Sequence, residues 1–121
     1  MTREIWRERF LFLGPDNPCG ACWRPAVDVY RDRDGWLVKF DLAGVAPRDI
    51  EVRVRGRFLT VAGVRRDLTV QEGRQAYLME IAYSRFERSV ELPVDLEELE
   101  IGSESRDGML LVSIQLLGDR R

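Results

Sequence analysis

The stretch AVDVYRDRDGWLVKFDLAG, residues 26–44, decides the fold class. Val27 and Val29 alternate with Asp28 and Tyr30. After Asp34-Gly35 the alternation resumes, with Trp36, Val38, Phe40 and Leu42 on one face and Leu37, Lys39 and Asp41 on the other. Successive side chains of a strand point to opposite faces, so a period of two predicts half-buried strands. Asp-Gly between two such runs predicts a tight hairpin turning on Asp34-Gly35, where glycine suits a positive φ. Ala43-Gly44 ends the second strand, and Pro47 fixes a turn by holding Ala46 out of the helical region.

The same grammar continues downstream. Ile50, Val52 and Val54 alternate with Glu51, Arg53 and Arg55, Gly56-Arg57 suits a type II′ turn, and Phe58 to Ala62 reads as the next strand. The interval from Gly63 to Gln75 is polar and long for a hairpin, and such connections are uncommon unless they carry function. Tyr77 to Ile81 is a further strand candidate. Arg85 to Leu92 is a longer one, and it places Arg88 on the same face as Phe86, Val90 and Leu92. An arginine among core-facing positions needs a partner. Pro93 ends that strand, and Asp95 with Glu98 resembles a capping box over one short turn, Leu96 to Leu99. Ile101 to Arg106, an Asp107-Gly108 turn and Met109 to Leu116 form a last hairpin. Leu110, Val112, Ile114 and Leu116 line one of its faces, while Met109 and Leu111 add apolar area to the other. A strand apolar on both faces is buried twice or leaves a groove. Short strands joined by tight turns predict an antiparallel β-sandwich rather than βαβ units.

Upstream, residues 1–25 read as an arm. Trp6, Phe10 and Leu13 fall on one face of a helix, widened by Leu11 and Phe12, until Gly14-Pro15 stops it. So short a helix is marginal alone in water, so its apolar face needs a cover in this chain or another. Residues 26–117 form the body, and 118–121 a residual tail.

Composition narrows the function. The net charge of −2, with acids and bases mixed along the chain, gives no reason to expect nucleic acid or an anionic membrane as partner. No apolar run reaches the roughly 18–20 residues of a transmembrane helix, and Glu4, Arg7, Glu8 and Arg9 interrupt any signal-peptide layout. The cytoplasm is the expected compartment. The absence of histidine removes Ser-His and Cys-His triads, His-ligated metals and imidazole acid–base work. An enzyme is not expected: paired acids such as Glu97-Glu98 fall on a short polar turn. Cys19 and Cys22 are the only cysteines, which leaves no disulfide framework. Their CxxC spacing admits zinc or redox chemistry on one reading and two ordinary thiols on the other. No cofactor is assigned.

The run Asp41-Leu42-Ala43-Gly44-Val45, with Asp49-Ile50-Glu51-Val52 and Leu59-Thr60-Val61-Ala62-Gly63, resembles the core of the α-crystallin domain that defines the small heat-shock proteins. Glu80, Phe86, Arg88, Leu92-Pro93, Gly108-Met109-Leu110 and Val112 extend the resemblance over about Ala26 to Leu116. Ser84 and Ser103 depart from the family's usual glycine and alanine.

The resemblance implies an immunoglobulin-like antiparallel β-sandwich and an ATP-independent holdase that binds partly unfolded client proteins and prevents their aggregation. It also implies a homodimer by strand exchange, in which residues 63–75 reach across and Tyr77, Leu78 and Met79 form the exchanged strand. Arg88 matches the family's buried arginine at the dimer contact; an arginine satisfied within its own chain is the other reading.

The family's C-terminal Ile-X-Ile/Val extension is missing from the sequence. The resemblance places that motif's docking groove between Ile50–Arg55 and Met109–Leu116, with Ile50, Val52, Val54, Met109 and Leu111 as its residues. A dimer or a small higher assembly is therefore expected. Trp6, Phe10, Phe12 and Leu13 of the arm are the second candidate client surface, or else a cover for the groove. The competing function is a non-catalytic interaction module of the CS-domain co-chaperone type. Such modules are usually monomeric and lack the long loop. An adhesion sandwich would call for secretion and an inter-sheet disulfide.

Overall fold

Seven antiparallel strands, stacked as two sheets, make up the body of the protein in a computed structural model, which describes residues 22–67, 69 and 71–116. The strands are β1 (Val27–Asp32), β2 (Gly35–Asp41), β3 (Ile50–Arg55), β4 (Phe58–Arg65), β5 (Ser84–Glu91), β6 (Glu100–Arg106) and β7 (Met109–Gln115). One sheet has four strands in the order β1-β2-β7-β6, and the other has three in the order β3-β4-β5. This is the all-β sandwich that the alternation predicts. The helix expected in the N-terminal arm lies outside the described residues.

The period of two is realised as burial. Val38 and Phe40 of β2, Val52 and Val54 of β3, Leu59 and Val61 of β4, and Leu110, Val112 and Ile114 of β7 all enter one core. Leu42, Phe86, Leu92 and Leu96 close its ends. Each such side chain contributes roughly 1.5–3 kcal/mol on leaving water. Two short 3₁₀ turns link the sheets, Pro47–Asp49 and Leu96–Glu98. Ala46 is extended before Pro47, and the Asp95 carboxylate accepts from the Glu97 N–H at 3.0 Å, so proline and cap act as their positions predict.

The hairpins divide instructively. Arg106 pairs with Met109, which leaves Asp107 and Gly108 as the turn at φ 53° and 81°, the type I′ signature. Asp32 pairs with Gly35 in the first hairpin, so its turn centres on Arg33 and Asp34, one residue earlier than Asp34-Gly35. Gly35 serves another purpose. It opens β2 beside β7, where a Cβ would overlap the carbonyl oxygen of Ile114. The glycine is needed for close approach of two backbones rather than for the turn.

Strand β4 runs three residues beyond Ala62, because Gly63, Val64 and Arg65 pair with Phe86, Arg85 and Ser84 of β5. Ahead of β1, Trp23 already touches the body. Its N–H donates to the Arg85 carbonyl at 3.1 Å, and its own carbonyl accepts from the Glu87 N–H at 3.3 Å.

Candidate functional site

Between β4 and β5 the chain leaves the sandwich for the longest connection in the described body, residues 66–83. Its first part is held by short-range polar contacts. Arg66 grips Asp49 through both carboxylate oxygens at 3.2 Å, and these hydrogen bonds hold the Asp49 carboxyl below its ordinary value of 3.8. Asp67 accepts from the Thr69 N–H and hydroxyl, which lowers its pKa likewise. Arg74 binds the Gln71 side chain at 2.7 Å.

The second part has an opposite character. Tyr77 is fully exposed, and Leu78, Met79 and Ile81 are 72%, 60% and 61% exposed. Tyr77–Ile81 forms no strand and joins neither sheet. Four large apolar side chains within five residues are thus left in water, and contiguous apolar surface of this kind marks interaction sites.

A receptive edge exists elsewhere. β1 pairs only with β2, so its outer edge keeps unpaired backbone groups among the described residues. Five of its six residues are exposed, Val29 and Tyr30 among them. Arg88, paired with Val61 in the sheet, reaches the foot of that strand: its Nη1 donates to the Pro25 carbonyl at 2.9 Å. The partner of Arg88 within the chain is thus a backbone carbonyl rather than a carboxylate.

The other predicted site residues separate. Val52 and Val54 are 4% and 1% exposed and belong to the core. Ile50 and Met109 are half-buried and share a pocket of about 260 Å³ with Leu42, Val45 and Pro47. Leu111 is half-buried and, paired with Lys39 and Glu104, faces away from the core. β7 lies inside its sheet between β2 and β6, so the edge available at that end is β6. Trp6, Phe10, Phe12, Leu13 and Cys19 lie outside the described residues. Cys22 is disulfide-bonded, so its sulfur is not a free thiolate. Among the described residues no group of three or more His, Cys, Asp or Glu side chains could hold a metal.

Arg53, on the face of its strand that alternation sets opposite the core, and Arg65, in the interval that reads as a polar connection, are both drawn out of full solvent exposure. Arg53 is only 2% exposed, although Val52 and Val54 take the core positions of its strand. Burial pushes the neighbouring Glu87 carboxyl above its ordinary value near 4.5, and the Arg53 and Arg85 charges oppose the shift. Arg65, at the end of β4, is half-buried among carbonyls and aromatic rings.

The Hsp20/alpha crystallin family model matches residues 28–120, nearly the whole body. The chain belongs to the small heat-shock protein family. It is 23% identical over 90 residues to small heat shock protein C2 of Rickettsia felis, covering 74% of this chain and 58% of that one. It is 29% identical over 98 residues to a heat shock protein of Dictyostelium discoideum, covering 81% of this chain and 24% of the other. It thus spans less than two thirds of these relatives' length. Among solved structures, hspA from Xanthomonas axonopodis superposes with a TM-score of 0.66 at 28% identity, over 78% of this chain and 95% of that one. As in the family, the sandwich is an α-crystallin domain. No helix among the described residues is long and apolar enough to cross a membrane.

Proposed function

We propose that the chain is an ATP-independent holdase that binds partly unfolded proteins and keeps them from aggregating. Membership of a family of non-enzymatic chaperones supports this reading. The observation that carries it is the exposed apolar run Tyr77, Leu78, Met79 and Ile81 on a long connection beside an otherwise well-filled core. The working unit is a homodimer by strand exchange, in which Tyr77–Ile81 of each protomer adds a strand to the outer edge of β1 of the other. An unpaired edge is a template for an extended segment, with main-chain bonds giving affinity and alternate side chains giving specificity. Arg88 belongs to this interface through Pro25, whose carbonyl it holds two residues before β1 begins. Clients are met by the arm residues Trp6, Phe10, Phe12 and Leu13 and by the end pocket around Ile50 and Met109.

The test is light scattering of a heat-labile client warmed without nucleotide. Suppression at near-stoichiometric ratios supports the holdase, and loss of suppression on deleting residues 1–18 assigns client capture to the arm. No suppression at any ratio shifts the reading to an interaction module of the CS-domain type. For the dimer, Tyr77→Ser with Leu78→Ser and Met79→Ser is expected to raise the dissociation constant at least a hundredfold by sedimentation. An unchanged constant sinks the exchanged strand.

A further inference from the structure

Arg65 stands where three parts of the chain meet. Its Nε donates to the Ala82 carbonyl at 2.9 Å, at the end of the long connection. Its Nη1 donates to the Ala43 carbonyl at 3.0 Å, just past β2. Its guanidinium lies 4.2 Å from the Trp23 ring centroid and 5.9 Å from that of Tyr83. A planar fork with donors in fixed directions can satisfy two carbonyls and still offer its face to an aromatic ring, which a lysine ammonium cannot do.

Trp23 is the other half of the arrangement. Its backbone is pinned to β5 through Arg85 and Glu87, and its ring packs on Phe86 at 5.3 Å between centroids. The buried indole Nε1 has no hydrogen-bond acceptor. No polar contact fixes the ring, so its position follows the two groups it stacks on, Phe86 and Arg65. Phe86 is a core residue and cannot move far. The Arg65 guanidinium is instead tied through Nε to a carbonyl one residue beyond the exposed apolar segment.

We infer that Arg65 is a joint that couples the end of the 66–83 connection to the entry of the chain at Cys22–Trp23. Displacing Ala82 and Tyr83 moves the guanidinium, and the Trp23 ring moves with it. Since coupling between two sites is reciprocal, a disturbance at Trp23 is felt equally at Ala82. The proposal deepens the strand-exchange reading and rests on it only for what displaces the connection. Docking of Tyr77–Ile81 on a second copy is then communicated to Cys22–Trp23.

Hydrogen exchange of the full chain, followed by mass spectrometry, tests the joint from both sides. Trp23→Leu is expected to speed exchange at least fivefold in the peptide covering residues 76–84 while leaving β2 and β7 unchanged. Tyr83→Ser is expected to speed exchange of the Glu87 amide, which binds the Trp23 carbonyl. Arg65→Lys, which keeps the charge and loses the fork, should do both, and it carries the test if Trp23→Leu fails to fold. Effects confined to each variant's own segment, at a melting temperature within a degree of the parent, overturn the joint. Light scattering on the same samples reports the mass separately. A parent chain that is monomeric at every concentration refutes strand exchange, and the exchange data still decide the joint.

Discussion

Strand β4 and the segment Tyr77–Ile81 are both short, apolar and β-prone, and they end in opposite environments. β4 lies between β3 and β5, with Leu59 and Val61 fully buried. Among the described residues Tyr77–Ile81 pairs with nothing, and Tyr77 is fully exposed. Side-chain character does not separate them; pairing within a sheet does. β-propensity measures fit to a pleated, half-buried surface rather than a backbone preference. Under the proposed strand exchange, a segment with that fit and no surface to meet is addressed to another chain.

The largest effect should come from the side of the comparison whose partners are internal. Leu59→Ala removes a buried side chain from β4 and is expected to cost about 2–5 kcal/mol in urea unfolding, a large part of the roughly 5–15 kcal/mol that holds a domain together. Leu78→Ala, measured at concentrations where the chain is monomeric, should stay within about 0.5 kcal/mol of the parent. Equal costs at the two leucines would place Leu78 inside its own protomer.

The two regions also differ in how a glycine is used. Gly35→Ala sets a Cβ against the Ile114 carbonyl of the adjacent strand and should cost about 1–3 kcal/mol. Gly73 has an open surrounding and a φ of 86°, so Gly73→Ala meets only the backbone penalty of about 1–2 kcal/mol. Thermal unfolding of the pair ranks them. A larger loss at Gly73 than at Gly35 would mean that the connection is packed more tightly than the sheet.

These contrasts show which features were legible in the sequence. The alternation in Trp36–Leu42, Ile50–Val54 and Leu110–Ile114 is a local property, and it placed the core faces. The turn at Asp107-Gly108 was equally local. At Asp34-Gly35 the same dipeptide misleads by one residue, because Gly35 answers to Ile114, a neighbour about eighty positions away in the chain. Arg53 reads as a solvated charge and Arg65 as part of a polar connection, since nothing near them in sequence announces what covers them. Tyr77–Ile81 is legible as a strand candidate and illegible as an unpaired one: composition records that a strand wants an edge, and topology decides whether this chain supplies it. The pairing of Trp23 with β5 leaves no periodic signal at all, being a single bridge.

The smallest expected effect concerns Glu87, on the β5 side of the packed sheet, and its value lies in its sign. Desolvation holds the Glu87 carboxyl above its ordinary value near 4.5, against the pull of Arg53 and Arg85. Between the unfolded and the folded value the folded chain therefore binds more protons than the unfolded one. Stability contributed by the neutral form is fully present below about pH 4.5 and is lost as the pH rises through the folded value. Glu87→Gln keeps the shape and removes the charge, so it should leave stability unchanged at pH 4 and raise it slightly at pH 7. The gain should be within about 0.5 kcal/mol, because the group is half-buried and screened. Urea midpoints at pH 4, 5.5 and 7 give the trend. A variant that loses stability toward pH 7 would show that the attraction of Arg53 outweighs the cost of burying the carboxylate. The outward face of β3-β4-β5 would then be held by ion pairing rather than merely tolerating its charges.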